Sequence, residues 1–228
     1  MSSTTHLSEL NDTALRFVQH RSDLTQLFRL LTPQQTVLDL GCGEGDLLEA
    51  LKVQGNPHTL GVEVDAMAVQ ACLAKGLTVY HGTLEEALVA YPDKAFNTVV
   101  LNQTLQRTAN PVQVVKEMVR VGERALVGFP NFGYWKIRLQ LALDGRMPTS
   151  PQLPFTWYDT PNIHLFTVLD FYELLHTHGI RVRQAHFCLT DSPTPQTLWQ
   201  SVSGGSRQLW QEQWFNLRAA SAVFELGI

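Results

Sequence analysis

The chain has 228 residues, of which 44% are hydrophobic and 17% are charged, and its formal net charge is −4. This length and apolar fraction are typical of a single globular domain with a buried core and exclude a disordered chain. The slight acidic excess argues against nucleic-acid binding, which usually requires a basic surface. The sequence contains no run of about 18 apolar residues and no recognisable secretory signal, so we expect no membrane span and no membrane association.

The cysteines indicate a reducing environment. Cys42, Cys72 and Cys188 are odd in number and far apart in the sequence. This spacing is typical neither of a disulfide framework nor of a CxxC metal site. We therefore expect a cytoplasmic protein without a metal centre.

The N-terminal residues 1–20 are polar and predict a loosely docked arm, followed by a single domain over residues 21–228. The first strong helix is expected near Ser22, where Asp23 and Gln26 have the spacing of a capping box. One buried helical stripe follows at i, i+3, i+4 and i+7, formed by Leu24, Leu27, Phe28 and Leu31.

From residue 36 to residue 129 the sequence alternates short apolar strands with helices. The predicted strands cover residues 36–40, 59–64, 77–80, 96–101 and 124–129. Helix N-caps are predicted at Asp65, at Thr83 with Glu86, and at Asn110 before a proline. Five strands separated by helices predict an α/β fold of the Rossmann-like type: a doubly wound, mostly parallel sheet with right-handed crossovers.

This alternation stops after the fifth strand. Residues 131–162 are rich in aromatic residues and prolines and predict an inserted cover over the domain. Thr167 and Asp170 then predict a capped helix, followed by a strand at 180–189, a loop at 191–205 and a closing strand at 219–226.

The turn after the first strand is the most informative segment. Gly41, Gly43 and Gly45 alternate with other residues between a strand and a helix, where positive φ or close ligand approach requires glycine. Glu63 ends the second strand, 18 residues after Gly45. An acid at this place can accept both hydroxyls of a ribose, so the pair predicts a ligand that contains a nucleoside. The structural alternative is a tight turn with spare glycines.

The third small residue of a dinucleotide fingerprint is replaced here by Asp46, which disfavours a nicotinamide oxidoreductase. The pattern D-x-G-x-G-x-G that begins at Asp39 resembles motif I of class I S-adenosylmethionine-dependent methyltransferases. That resemblance implies a seven-stranded sheet whose last strand is antiparallel. The cofactor would be S-adenosylmethionine or S-adenosylhomocysteine, and the acidic Asp39 suits a sulfonium.

The same resemblance implies further cofactor contacts. Thr83 and Leu84 follow the third strand, where these proteins contact the adenine; the family often has aspartate at the position of Thr83. Leu101 and Asn102 end the fourth strand, where backbone carbonyls usually meet the methionine end of the cofactor.

A narrower resemblance rests on several segments of the chain. They are residues 21–24, 37–48, 103–106, Phe129-Pro130-Asn131-Phe132-Gly133, 145–148 and 157–164. Together they resemble the methionine biosynthesis protein MetW family over roughly residues 21–182. This implies a cytoplasmic bacterial protein that works with homoserine O-acyltransferase and has a methyltransferase-like fold without a settled methyl acceptor. The tail after residue 191, with Trp199, Trp210 and Trp214, lies outside the match.

Catalytic residues are less clearly indicated. His164 is the candidate general base, with Tyr158 nearby in the sequence. The favoured alternative is that His164 is a hydrogen-bonded residue that fixes the turn before Thr167. Gln106 stands where many small-molecule methyltransferases have histidine, and an amide cannot act as a base at neutral pH. Five aromatic residues can wall an acceptor pocket or belong to the core; they are Phe132, Tyr134, Trp135, Trp157 and Tyr158.

Residues 135–143 alternate apolar and basic side chains, which predicts an exposed strand or a tilted helix able to dock a partner. The more common alternative is a solvated face over a buried one. Two functional hypotheses follow from the sequence. The first is a cofactor-binding subunit that activates or regulates homoserine O-acyltransferase. The alternative is a methyltransferase that acts on an unidentified small molecule. The oligomeric state stays open.

Overall fold

The computed structural model describes residues 13–56, 58–189, 199–203 and 209–227. Residues 13–18 are helical, and a 3-10 turn covers Leu105–Arg107. The longer helices are α1 (Ser22–Leu30), α2 (Asp46–Val53), α3 (Ala66–Ala74), α4 (Leu84–Ala90), α5 (Pro111–Val121), α6 (Trp135–Asp144), α7 (Val168–Thr177) and α8 (Leu209–Arg218). The strands are β1 (Val37–Leu40), β2 (Thr59–Glu63), β3 (Val79–His81), β4 (Phe96–Asn102), β5 (Gly122–Pro130), β6 (Arg181–Cys188), β7 (Trp199–Ser203) and β8 (Ser221–Gly227).

The strands form one sheet of eight in the order β3-β2-β1-β4-β5-β8-β6-β7. β1 to β5 pair in parallel, whereas β8 lies antiparallel between β5 and β6. The predicted doubly wound α/β fold with an antiparallel last strand is therefore confirmed. β7 pairs antiparallel with β6 and adds a strand to the expected seven. The predicted loop over residues 191–205 is wrong at residues 199–203, which pair with the edge of β6; its other residues lie outside the described part of the chain.

The helix starts follow from local sequence where the capping partner is close. The Asp65 carboxylate accepts hydrogen bonds from the backbone N–H groups of Met67 and Ala68 at 2.8 and 3.0 Å. The capping boxes at Thr83 and Thr167 are also formed.

The capping box predicted at Asp23 is wrong. The N-cap of α1 is Arg21, and no side chain caps this helix. The carboxylate of Asp23 instead binds Arg21 and Asn102, and the cationic Arg21 is a stronger partner than a backbone N–H group. Gln26, the other half of the predicted box, contacts the buried His186.

Apolar side chains cover both faces of the sheet. Leu38 and Leu40 point into one cluster, whereas Val37 joins the other cluster with Leu27 and Phe28 of α1. Ala14 and Val18 are fully buried in that second cluster, so residues 13–18 are packed on the domain and not loosely docked. Residues 1–12 of the predicted arm lie outside the described residues, and the domain boundary at residue 21 stays a prediction.

The predicted cover over residues 131–162 is held at both ends. Asn131 is fully buried; its amide N–H groups donate to the carbonyls of Asn216 and Ala219 at 2.8 and 2.7 Å. Beyond the other end, the backbone N–H groups of Ile163 and His164 donate to the carbonyl of Gln106 at 2.9 and 3.0 Å. The cover is therefore fixed over the carboxyl edge of the sheet. Within the described residues, no helix is both long and apolar enough to cross a membrane.

Candidate functional site

The glycine turn between β1 and α2 has the backbone that its sequence predicts. Gly41, Gly43 and Gly45 have φ values of +69°, +56° and +83°, a region that strongly favours glycine. A Cβ on Gly41 would lie 2.7 Å from Oγ1 of Thr104, and one on Gly45 would lie 2.5 Å from Cδ1 of Leu77. A Cβ on Gly43 would meet nothing within 4 Å. Gly41 and Gly45 are thus required for packing, and Gly43 leaves open space at the turn.

Glu63 is held against this turn by backbone donors. Its Oε2 accepts a hydrogen bond from the N–H of Gly43 at 2.9 Å. Its Oε1 accepts from the N–H groups of Val64 and Asp65 at 2.8 and 2.9 Å. A carboxylate offers about four acceptor positions, so the fixed Glu63 keeps capacity for a ligand hydroxyl.

A cavity of about 820 Å³ opens at the carboxyl ends of the parallel strands. The strand order reverses between β1 and β4, and open α/β sheets bind ligands at this kind of switch point. Most of the predicted cofactor residues line the cavity; they are Asp39, Gly41, Gly43, Glu63, Thr83, Leu84 and Asn102. The fold therefore brings residues from four separate loops to one site.

Two predicted cofactor residues do not line the cavity. Gly45 begins α2 and packs against Leu77 and Cys72, so its role is to close the turn. Leu101 is fully buried in the apolar core beside the sheet. Thr83 does line the cavity, but its hydroxyl already accepts a hydrogen bond from the N–H of Glu86 at 3.2 Å.

Asp39 is a buried carboxyl at the floor of the site, with only 4% of its surface exposed. Its pKa is raised to about 7, chiefly by burial; the nearby Arg21 lowers the pKa, and the charge of Glu63 raises it by a smaller amount. A carboxyl that changes charge near neutral pH destabilises the folded protein when it is ionised, because the unfolded chain solvates the carboxylate better.

We expect Asp39→Asn to raise the free energy of unfolding at pH 8. The pKa of Asp39 is about 7 in the folded protein, against a usual value of 3.8. Between these values the folded state keeps a proton that the unfolded state has lost, so this carboxyl makes stability fall as pH rises from about 4 to 7. One pKa unit corresponds to about 1.4 kcal/mol, so the expected gain is a few kcal/mol. Urea unfolding at pH 5 and pH 8 checks this: equal pH dependence in the parent and the variant contradicts it.

A charged network at the cavity wall was not predicted from the sequence. Nη2 of Arg21 lies 2.7 Å from Oδ2 of Asp23, and Nδ2 of Asn102 donates to the same oxygen at 2.7 Å. Burial alone would raise the pKa of Asp23, but the Arg21 ion pair and these hydrogen bonds together hold it below its usual value. Oδ1 of Asn102 is buried and has no hydrogen-bond partner among the described residues. The only sequence signal was that residues 21–24 belong to the family resemblance.

The opposite wall comes from the segment after β4 and from the cover. Gln106 is buried, and its Nε2 donates to the carbonyl of Gln103 at 2.9 Å. The Arg107 guanidinium makes no ion pair with any residue that the structure describes and lies 5.9 Å from the ring centroid of Phe155. Burial lowers the pKa of Arg107. Arg107 and Phe155 both line the cavity, and sequence reasoning missed both.

The predicted catalytic residues lie outside the cavity lining. Tyr158 is 68% exposed and packs edge-on against Trp157. His164 is fixed through its backbone to Gln106, and its Nε2 is buried without a hydrogen-bond partner in the described part of the chain. The aromatic set does not wall the cavity either: Tyr134 is buried with Phe132 against it, and the other three are exposed. A catalytic role for His164 and Tyr158 thus stays a prediction without support from the geometry.

The doubly wound sheet, the glycine turn after β1 and the acid after β2 define the class I S-adenosylmethionine-dependent methyltransferase fold. A solved methyltransferase from Thermotoga maritima has a TM-score of 0.62 at 18% identity and covers 97% of both chains. Magnesium protoporphyrin IX methyltransferase from Synechocystis, solved with bound S-adenosylhomocysteine, has a TM-score of 0.58 at 14% identity and covers 92% of this chain and 83% of its own. At this identity the likeness concerns the fold alone.

The family model for methionine biosynthesis protein MetW matches residues 21–223, so the chain belongs to the MetW family. The bifunctional methionine biosynthesis protein MetXA/MetW of Rhodopirellula baltica is 37% identical over 162 residues, which are 67% of this chain and 26% of that protein. A ubiquinone biosynthesis O-methyltransferase of Hahella chejuensis is 28% identical over 51% of this chain and 48% of its own length. The chain therefore spans about a quarter and about half of these relatives.

Proposed function

We propose that this chain binds S-adenosylmethionine in the cavity above the glycine turn and acts with homoserine O-acyltransferase as an activating or regulatory subunit in the cytoplasm. The observation that carries the proposal is the fixed Glu63 carboxylate beside the open position at Gly43. This pairing suits the ribose of a nucleoside, and the cavity of about 820 Å³ has the size of a small-molecule site.

The charges around the glycine turn suit a cofactor with a sulfonium and no phosphate. Asp39, Glu44, Asp46 and Glu63 all line this side of the cavity. Lys75 pairs with Asp46 and Asp39 is only partly ionised at neutral pH, so Glu44 and Glu63 contribute most of the negative charge. A phosphate placed against these carboxylates would be repelled, whereas a cationic sulfonium is attracted.

The acyltransferase partnership is supported by the relative from Rhodopirellula baltica. In that protein a MetXA part and a MetW part share one polypeptide. Covalent linkage keeps two parts at high effective concentration, which favours association of two parts that work together. A subunit of this kind needs the cofactor site but no catalytic base, which agrees with the absence of His164 and Tyr158 from the cavity lining.

Titration of this chain into homoserine O-acyltransferase from the same organism tests the proposal. Turnover of the acyltransferase is measured with and without S-adenosylmethionine. We expect a saturable change in rate and co-elution of the two proteins, with the half-saturation point shifted by the cofactor. An unchanged rate without co-elution contradicts the partnership. A cofactor-independent change retains the partnership and removes the sensing role.

Methyl transfer to a small molecule is the second candidate function. The observation in its favour is Arg107, which faces the cavity beyond the glycine turn without an ion-pair partner in the described part of the chain. This cation suits an anionic acceptor, and holding donor and acceptor together can supply much of the catalysis. Incubation with a metabolite extract and S-adenosylmethionine tests it: S-adenosylhomocysteine must accumulate in the parent and not in Arg107→Gln or Glu63→Ala.

A further inference from the structure

The cover carries an unusual concentration of exposed apolar side chains. Residues 131–162 contain eight of the seventeen large hydrophobic side chains that are exposed in the described part of the chain. Scattered exposed apolar residues are normal on a monomer, but their concentration in one segment is typical of a surface that binds another molecule.

Helix α6 shows this most clearly. Trp135, Leu139 and Leu143 are spaced at i, i+4 and i+8, which places them along one side of the helix. Their exposed fractions are 39%, 47% and 74%. Ile137 is the only residue of α6 that is buried, so most of the helix projects from the domain. We call the side formed by Trp135, Leu139 and Leu143 the outer face of α6.

We infer that the outer face of α6 is the surface on which homoserine O-acyltransferase docks; this rests on the proposed function. The occupant follows from the relative in which a MetXA part and a MetW part share one chain. An apolar stripe on one helix fits a hydrophobic groove on a partner, a common mode of protein recognition. Lys136 and Arg138 on the same helix are basic, so we expect acidic residues at the rim of that groove.

A second copy of this chain fits the outer face of α6 less well. In a two-fold symmetric interface the same patch meets itself. Lys136 and Arg138 lie on α6 and Arg146 follows it, with Asp144 as the acidic residue of this stretch. Pairing two such helices would bring like charges together, which disfavours association.

The cover also links this surface to the candidate cofactor site. Residues 151–155 of the same segment contribute Gln152 and Phe155 to the cavity lining, close to Arg107. A partner on α6 therefore contacts an insertion that also closes over the cavity. Binding of the cofactor can therefore affect the docking surface through the residues between α6 and Phe155.

Binding of the full-length chain to homoserine O-acyltransferase, measured by isothermal titration calorimetry, tests the inference with the double variant Leu139→Glu/Leu143→Glu. We expect about a 100-fold weaker affinity, because two buried leucine contacts are each worth about 1.5 kcal/mol or more. The matched control is Leu73→Glu on α3, where the leucine is 58% exposed outside the cavity lining. This variant should bind the acyltransferase as tightly as the parent. An unchanged melting temperature and affinity for S-adenosylhomocysteine confirm that all variants fold.

Three outcomes overturn the inference. If the double variant binds the acyltransferase as tightly as the parent, the partner docks elsewhere and the proposed function stands. If the parent itself does not bind the acyltransferase, the proposed partnership and the docking surface both fail. If the double variant instead abolishes self-association in sedimentation analysis, or binding to vesicles of anionic phospholipid, with acyltransferase binding unchanged, the face serves a second copy or a membrane.

Discussion

Replacing Glu63 with alanine is expected to abolish most of the affinity for S-adenosylhomocysteine. A hydrogen bond to a charged group is worth about 1.5–3 kcal/mol, so losing the ribose hydroxyl contact that Glu63 can still accept weakens binding by about 10- to 100-fold. The substitution also releases the N–H of Gly43, which loses its acceptor at 2.9 Å, so the glycine turn becomes less ordered. Isothermal titration calorimetry with S-adenosylhomocysteine measures the loss directly.

Two comparison variants sharpen this experiment. Glu63→Gln keeps the shape of the side chain and one acceptor oxygen, but it removes the charge and sets an amide NH2 against a backbone N–H donor, so we expect a loss smaller than that of Glu63→Ala. Glu173→Ala removes an exposed carboxylate on α7, away from the cavity lining, and should leave the affinity unchanged. If the affinity of Glu63→Ala for S-adenosylhomocysteine is within threefold of that of the parent, Glu63 does not hold the ribose and the proposed cofactor site is wrong.

Alanine at Gly45 and alanine at Gly43 are expected to have different effects, although both glycines have positive φ. At Gly45 the added Cβ would lie 2.5 Å from Cδ1 of Leu77 and 2.9 Å from Sγ of Cys72. Strain from the left-handed backbone costs about 1–2 kcal/mol, and overpacking adds about 1–3 kcal/mol. Gly45→Ala should therefore lower the melting temperature by roughly 5–15 °C, since 1 kcal/mol shifts it by about 2–4 °C in a domain of this size.

At Gly43 the added Cβ meets no protein atom, so the stability cost is limited to the backbone term of about 1–2 kcal/mol. The methyl group would instead occupy the open space beside the Glu63 carboxylate. Gly43→Ala should therefore weaken S-adenosylhomocysteine binding by about tenfold or more with a smaller thermal shift than Gly45→Ala. Thermal unfolding and calorimetry on both variants check the contrast; a larger thermal shift for Gly43→Ala contradicts the assignment.

Site residues could be predicted from the sequence only where the pattern that marks them lies within a few neighbouring residues. Gly41, Gly43 and Glu63 were predictable because a strand-to-helix turn needs positive φ and the next parallel strand ends at the same edge. His164 and Tyr158 are predicted catalytic residues only because they lie close together in the sequence. The cavity wall instead uses Arg107 and Phe155, which are far apart in the sequence and adjacent in the fold.

Long-range partners also overturned two local predictions. Asp23 has the residue type and spacing of a helix cap, but its carboxylate pairs with the neighbouring Arg21 and also binds Asn102, which is 79 residues away. The pairing of β7 with the edge of β6 is likewise a contact that the sequence of β7 did not predict. In both cases the deciding hydrogen bonds lie outside any window that a periodicity or capping rule examines.

The sequence by itself determined the alternating strands and helices, the glycine turn, the acid after β2 and the family resemblance. These features depend on the spacing of apolar residues and on the position of glycines within a few residues, and both can be taken directly from the sequence. The tertiary structure decided that Asp39 is buried with a pKa near 7, that Arg21 and Asn102 share Asp23, and that α6 keeps its apolar stripe exposed. Burial, charge pairing and exposure are properties of neighbours in space, and only the folded chain specifies those neighbours.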